Sequence, residues 1–224
     1  MGLSVKQKFF LQLFGALLIA TYLYFTDSLS SKDTPNTALV FPFFKNFRPD
    51  IGILYIPFAS VVIVGASNAV NLTDGLDGLA IGCVIFVATT FGMLSYLTSH
   101  QKLADYLDIV HLSGNGEAST IFCAALIGSG LGFLWYNCHP AQIFMGDTGS
   151  LALGGVIGTI ALLIKQEILL VIVGGIFVAE ALSVILQVGS FKIRGKRIFK
   201  MAPFCLLYTS DAADDTPCVD LGGR

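Results

Sequence analysis

Six long apolar runs dominate this sequence and restrict what it can fold into. They cover Phe9–Phe25, Ile51–Val70, Leu79–Leu97, Ser119–Tyr136, Leu151–Ile164 and Ile168–Val188. About 20 residues of helix cross the hydrocarbon core of a bilayer. Inside lipid, a lone segment satisfies its own backbone polar groups only as a helix. The runs therefore predict an all-α, polytopic transmembrane protein with about six spans. The fifth is the shortest and is expected to lie untilted or partly interfacial. With 54% hydrophobic and 12% charged residues, the chain falls outside the range of ordinary water-soluble domains. No small-residue cleavage site follows the first run, so that run is expected to stay as a span rather than leave as a signal peptide. Cys83, Cys123, Cys138, Cys205 and Cys218 show no metal-type spacing and read as packing residues. A formal net charge of −2, with no basic patch among aromatics, argues against a nucleic-acid partner.

Basic residues orient such a chain, because cytoplasmic loops carry an excess of Lys and Arg. The densest cluster is Lys192, Arg194, Lys196, Arg197 and Lys200, with no acidic residue among them. Placing it in the cytoplasm and counting back by alternation puts Trp135–Gly149 and Asn68–Gly78 on the same side. The N-terminus with Lys6 and Lys8 joins them, while Asp27–Asp50 and Thr98–Ala118 face outward. Two acidic, glycine-bearing loops and one basic loop thus converge on one membrane face, as a site for an anionic cytoplasmic substrate requires. No fixed-period repeat is visible. After Met201-Ala-Pro-Phe204 the character changes to a polar, acidic stretch with Asp211, Asp214, Asp215 and Asp220. The expected division is a transmembrane domain over 1–204 and a non-native or disordered tail over 205–224.

Two constellations could carry chemistry. In Asn68-Ala-Val-Asn71-Leu-Thr-Asp74-Gly-Leu-Asp77-Gly a polar group recurs every third residue. That row drifts around an ideal helix, and a helix end that tightens or unwinds would keep all four groups pointing into one cavity. Two carboxylates and two amides at the mouth of a span are costly unless paired, solvated or bound to a cation; the bland alternative is a helix cap and turn. In Asn137-Cys-His-Pro-Ala-Gln-Ile-Phe144-Met-Gly-Asp147-Thr-Gly-Ser150, a carboxylate stands at a helix entry beside glycines whose amides could meet phosphate oxygens. Ordinary helix capping by Asp147, Thr148 or Ser150 is the alternative. His139, before a proline, reads as loop structure. The run Phe191–Phe204 satisfies the positive-inside rule and lipid-headgroup contact, and could also attract a diphosphate. Glu180, inside the last run, is either functional or a buried helix contact.

At these residues the sequence resembles the bacterial phospho-N-acetylmuramoyl-pentapeptide transferases, within the superfamily of polyprenyl-phosphate N-acetylhexosamine-1-phosphate transferases. The resemblance runs from about Gly2 to Phe204. It is carried by Gly2-Leu-Ser-Val-Lys-Gln-Lys8 with Gln12, by Asn68–Leu79, by Pro140–Gly155, and by Lys196-Arg-Ile-Phe-Lys-Met-Ala-Pro-Phe204. It implies Mg²⁺-dependent transfer of phospho-N-acetylmuramoyl-pentapeptide from UDP to undecaprenyl phosphate. UMP is released and the first lipid-linked intermediate of peptidoglycan synthesis forms. The implied setting is a multi-pass inner membrane protein with its site facing the cytoplasm, and a homodimer is compatible with the family.

The resemblance also assigns roles. Asp147 matches the Mg²⁺ ligand, and Asp74 and Asp77 match the motif of catalysis and nucleotide contact. Asn68 and Asn71 match polar residues of the same pocket, Phe144 an aromatic near the uracil, and Lys8 a phosphate contact. The family pattern has an aspartate pair upstream of Gly2-Leu-Ser and histidines after Met-Ala-Pro-Phe, whereas this sequence starts at Met1 and continues as Cys205-Leu-Leu-Tyr. The expectation is a fragment truncated at both ends, inactive by itself, with a foreign tail. Two alternatives stand beside this reading. One is a sister transferase loading N-acetylglucosamine-1-phosphate for teichoic acid or surface polysaccharide. The other is an ion-coupled transporter using Asp74, Asp77 and Glu180, which the position of the aspartates at span ends and the lack of repeated halves disfavour.

Overall fold

The computed structural model describes residues 4–26, 35–42, 44, 47–107, 109–112, 114–199 and 202–205. Most of the predicted tail, 206–224, lies outside the described residues, as do Lys200 and the Met1–Leu3 segment. The described residues form helices and no strand. They are α1 (Val5–Phe25), α2 (Tyr55–Thr73, preceded by a 3₁₀ turn at Gly52–Leu54), α3 (Leu79–Ser99), α4 (Gln101–Leu107), α5 (Asn115–Asn137), α6 (Gly146–Leu163), α7 (Glu167–Val173) and α8 (Gly175–Arg194). Six helices, α1, α2, α3, α5, α6 and α8, are long and apolar enough to cross a membrane. The expected all-α polytopic architecture is what forms.

Some helix ends have local causes. Ser4 caps α1 in a capping box: its hydroxyl accepts from the Gln7 amide while the Gln7 side chain reaches back to the Ser4 backbone. Gly78, at φ 74°, opens α3, and Gly195, at φ 64°, closes α8, a backbone region that glycine enters without steric cost. The apolar run at 168–188 does not make one span. It breaks at Gly174-Gly175 into the short α7 and the spanning α8, since paired glycines are a common place for a helix to kink. The short fifth run is also corrected. Helix α6 starts at Gly146, so Asp147-Thr-Gly-Ser150 forms its first turns and brings it to 18 residues.

Helix α2 is the hub. It packs against α6, α1 and α8, while α3 pairs with α5. The α2–α6 contact is close because α6 carries Gly154 there. A Cβ at that position would lie 2.7 Å from the Ser67 Cα and press on the Ala66 carbonyl. One core cluster joins Val70, Val84, Phe91, Cys123, Ile157 and Ile164; a second joins Ala20, Tyr55, Ala59 and Leu162. Large apolar side chains on the outer faces, such as Phe10, Leu18, Val61, Phe86 and Ile185, stay exposed, as lipid-facing positions do.

Candidate active site

Contacts between distant residues gather the N-terminal part of α1, the α2–α3 junction and the α5–α6 junction at one end of the bundle. Helix α2 runs on to Thr73, so Asn68 and Asn71 are helical and Asp74 is its C-cap. The amide of Asn68 donates to Gln12 Oε1 on α1 at 2.9 Å and to the Val64 carbonyl at 2.8 Å. Ser150 Oγ, buried in the first turns of α6, donates to Asn71 Oδ1 at 2.6 Å. Ser67 Oγ donates to the Leu151 carbonyl at 2.8 Å. These bonds fix the α2 end to α1 and α6, and they place Asp147 beside two other charges. An ion pair joins the Lys8 ammonium to Asp147 Oδ2. The Asp74 carboxyl is held above the ordinary carboxylate range, chiefly by burial and then by the negative charge of Asp147. Lys8, Asn68, Asn71, Asp74 and Asp147 therefore form one constellation, with Asp74 and Asp147 as the pair that could hold a divalent cation.

Asp77 is placed differently from the cavity-lining row expected of it. Its Oδ2 accepts from the Ala141 backbone amide at 3.2 Å and faces His139 Nδ1 at 3.4 Å. It lines a cavity of about 700 Å³ walled by Gly75–Leu79, Leu134, Cys138 and His139. The four polar groups at three-residue spacing thus split. The first three work at α1 and α6, and the fourth works at the α5–α6 loop. The split follows from the helix ending at Thr73 and the turn through Gly75 and Gly78, which carries Asp77 round to the next helix. Asn137, buried at the end of α5, closes that cavity's frame. Its Oδ1 accepts from the Gly78 amide at 3.1 Å and its Nδ2 donates to the Ile143 carbonyl at 2.8 Å. Phe144 follows directly and is 75% exposed, so its ring is uncommitted to the core. Glu180 is buried in α8, and among the described residues its Oε2 has no hydrogen-bond partner. None of the site residues above hydrogen-bonds it.

Sequence reasoning assigned no site contact to Gln12 or Asn137 and offered Ser150 only as a helix cap. Only spatial pairing reveals them, although a Ser three residues after Asp147 and an Asn opening the second motif were visible.

Fold and site together define a multi-pass helical membrane protein with a polar, acidic site at one end of its bundle. The chain belongs to glycosyl transferase family 4, whose profile matches residues 1–165. It is 58% identical over 202 residues to a phospho-N-acetylmuramoyl-pentapeptide-transferase of Pelobacter propionicus, covering 90% of this chain and 54% of that protein. It is 57% identical over 202 residues to the protein of that name from Citrifermentans bemidjiense, with the same coverage. To the one from Desulforapulum autotrophicum it is 55% identical over 204 residues, covering 91% of this chain and 55% of that protein. The chain spans about half the length of these relatives.

Proposed function

We propose that the protein carrying these residues transfers phospho-N-acetylmuramoyl-pentapeptide from its UDP carrier to undecaprenyl phosphate at the cytoplasmic face of the inner membrane. The observation that carries this reading is the pairing of Lys8, Asp74 and Asp147 at one bundle end, in a chain so similar to transferases of that name. In the reaction an oxygen of the lipid phosphate bonds to the sugar-side phosphorus of the donor. The diphosphate bridge breaks, and UMP leaves with the bonding electrons.

The residues suit Mg²⁺. Asp74 and Asp147 repel each other, an arrangement a divalent cation relieves, and both offer hard oxygen donors. No group of three or more His, Cys, Asp or Glu gathers among the described residues. Mg²⁺ usually takes one or two carboxylates and completes its shell with phosphates and water. When bound, it would neutralise phosphate charge as UMP departs.

The chain's own groups divide the remaining work. Asp147 would hold the metal with Asp74 beside it. Lys8, already aimed at Asp147, supplies a cation to a phosphate oxygen. Asn68 and Asn71 keep the α2 end in register through Gln12 and Ser150. Asp77 lies at the nucleotide end, in the cavity that opens beside the loop carrying Phe144, and the exposed Phe144 ring offers a stacking face for the uracil. An apolar groove of about 250 Å³ between α2, α6, α7 and α8, lined by Val61, Ala66, Ile157, Leu170 and Phe177, suits a polyprenyl chain. Neither the N-acetylglucosamine-1-phosphate transferase nor the transporter alternative gains support from any of these contacts.

The test is UMP release by the full-length protein in lipid, with Mg²⁺ and undecaprenyl phosphate. The muramoyl-pentapeptide donor should be consumed and UDP-N-acetylglucosamine refused. The opposite preference would replace this reading with the sister transferase.

A further inference from the structure

The end of α8 is built as a braced hook. Gly195 reverses the chain in a left-handed cap, its amide donating to the Phe191 carbonyl at 3.1 Å. The returning segment is then fastened to the helix by two side chains one turn apart. Gln187 uses both ends of its amide: Oε1 accepts from the Ile198 amide at 3.1 Å and the Phe199 amide at 2.9 Å, and Nε2 donates to the Phe199 carbonyl at 3.0 Å. Ser190 Oγ donates to the Lys196 carbonyl at 2.9 Å. Lys192 and Arg194 in the last turn and Lys196 and Arg197 in the return are all exposed. No acidic residue lies anywhere between Ala181 and Phe204. A general attraction for lipid headgroups would need only the charges. Four side-chain-to-backbone bonds instead hold the backbone of this short cationic return in one path, and so fix where its cationic side chains start.

We infer that this hook is a phosphate-binding site, shaped for a diphosphate or a phosphate ester, and that Gln187 and Ser190 are its positioning residues. Cations carried on a braced backbone bind a phosphate group through charge-assisted hydrogen bonds at a lower ordering cost than those on a loose basic tail. Helix α8 ends on the same side of the bundle as the α2–α3 junction by helix alternation, so the hook shares a face with Asp74 and Asp147. Assigning the anion to the diphosphate of the donor rests on the transferase reading. The site itself does not.

The experiment measures binding of inorganic pyrophosphate, without Mg²⁺ or turnover, to the full chain in nanodiscs of phosphatidylcholine and, separately, of phosphatidylglycerol. The paired substitution K196A/R197A should weaken pyrophosphate binding by about tenfold or more, as loss of charge-assisted bonds does. Q187A should weaken it by several-fold although it removes no charge, with S190A weaker in effect, and K102A on α4 should leave it unchanged. Helical content by circular dichroism separates lost positioning from misfolding. If Q187A does not fold, S190A and K196A/R197A carry the test. Equal binding in both lipids identifies a soluble anion as the occupant; binding lost in phosphatidylglycerol identifies a lipid headgroup, and both support a phosphate site. Wild-type affinity in S190A and in folded Q187A would overturn the positioning role. Wild-type affinity in K196A/R197A would overturn the site. UMP release is read separately, so either claim can fail without the other.

Discussion

At the scale of single residues, the Lys8–Asp147 ion pair and a set of amide hydrogen bonds hold the candidate site together. Asp147 is exposed enough to meet a metal or substrate while Lys8 holds it. In the full-length protein D147N should lower UMP release by about 10²–10³-fold, the usual loss when a group aimed at transition-state charge is removed, with helical content unchanged. N137A acts elsewhere. It frees the Gly78 amide and the Ile143 carbonyl and so loosens the frame behind Phe144. The expected outcome is a raised KM for the UDP-linked donor, by about tenfold, with a much smaller change in kcat and an unchanged KM for undecaprenyl phosphate. Equal losses in kcat and KM for both substrates would place Asn137 at the reacting centre instead. Asn68, Asn71, Asp74 and Asp147 were legible from spacing at the mouths of apolar runs, because uncompensated polar groups there are costly. Their partners were not. Gln12 lies 56 residues from Asn68 and Ser150 lies 79 from Asn71, and no local pattern encodes such pairs. Asp77 was legible as a polar group but not by its direction, since the helix stop at Thr73 decides where it points.

At the scale of elements, the opposite end of the bundle has its own polar anchor. Lys165, fully buried at φ 57° in the corner between α6 and α7, donates to the carbonyls of Pro35, Asn36 and Ala38 in the segment before α2. Its ammonium sits 4.9 Å from the centre of the Tyr55 ring, whose hydroxyl donates to Glu167 Oε1 at 3.0 Å. K165M leaves three carbonyls and Glu167 without their cation and should cost about 3–5 kcal/mol, read as a drop in thermal unfolding temperature in detergent. E167Q keeps an acceptor for Tyr55 and should cost about 1 kcal/mol. Helix contact supplies a second case. G154V drives a side chain into the α2 backbone at Ala66 and Ser67, and overpacking of this kind should cost about 1–3 kcal/mol in the same measurement. The spans were readable because lipid demands long apolar helices. The kink at Gly174 was not, because an uninterrupted apolar run looks the same whether it makes one helix or two. The polar opening of α6 was missed for a related reason: Gly146–Ser150 carries the signs of a loop, and only its packing under Asn71 makes it helix.

At the scale of the whole molecule, the two ends of the bundle are specialised. One ties a loop down through Lys165. The other collects Lys8, Asp74, Asp77 and Asp147 and, by alternation, the cationic hook. This division accords with a protein that takes a charged soluble donor at one membrane face and a lipid acceptor from within the bilayer. Counting spans was enough to place Lys8, Asp74, Asp77 and Asp147 at one end, because span parity is a property of the entire sequence. In the proposed reaction the sugar moves together with its phosphate. The most direct test is mass spectrometry of the lipid product formed by the full-length protein from the muramoyl-pentapeptide donor and undecaprenyl phosphate. The expected product is a lipid with two phosphates between sugar and polyprenyl chain, with one UMP for each lipid formed. A lipid with one phosphate and release of UDP would contradict it, because the sugar alone would then have moved.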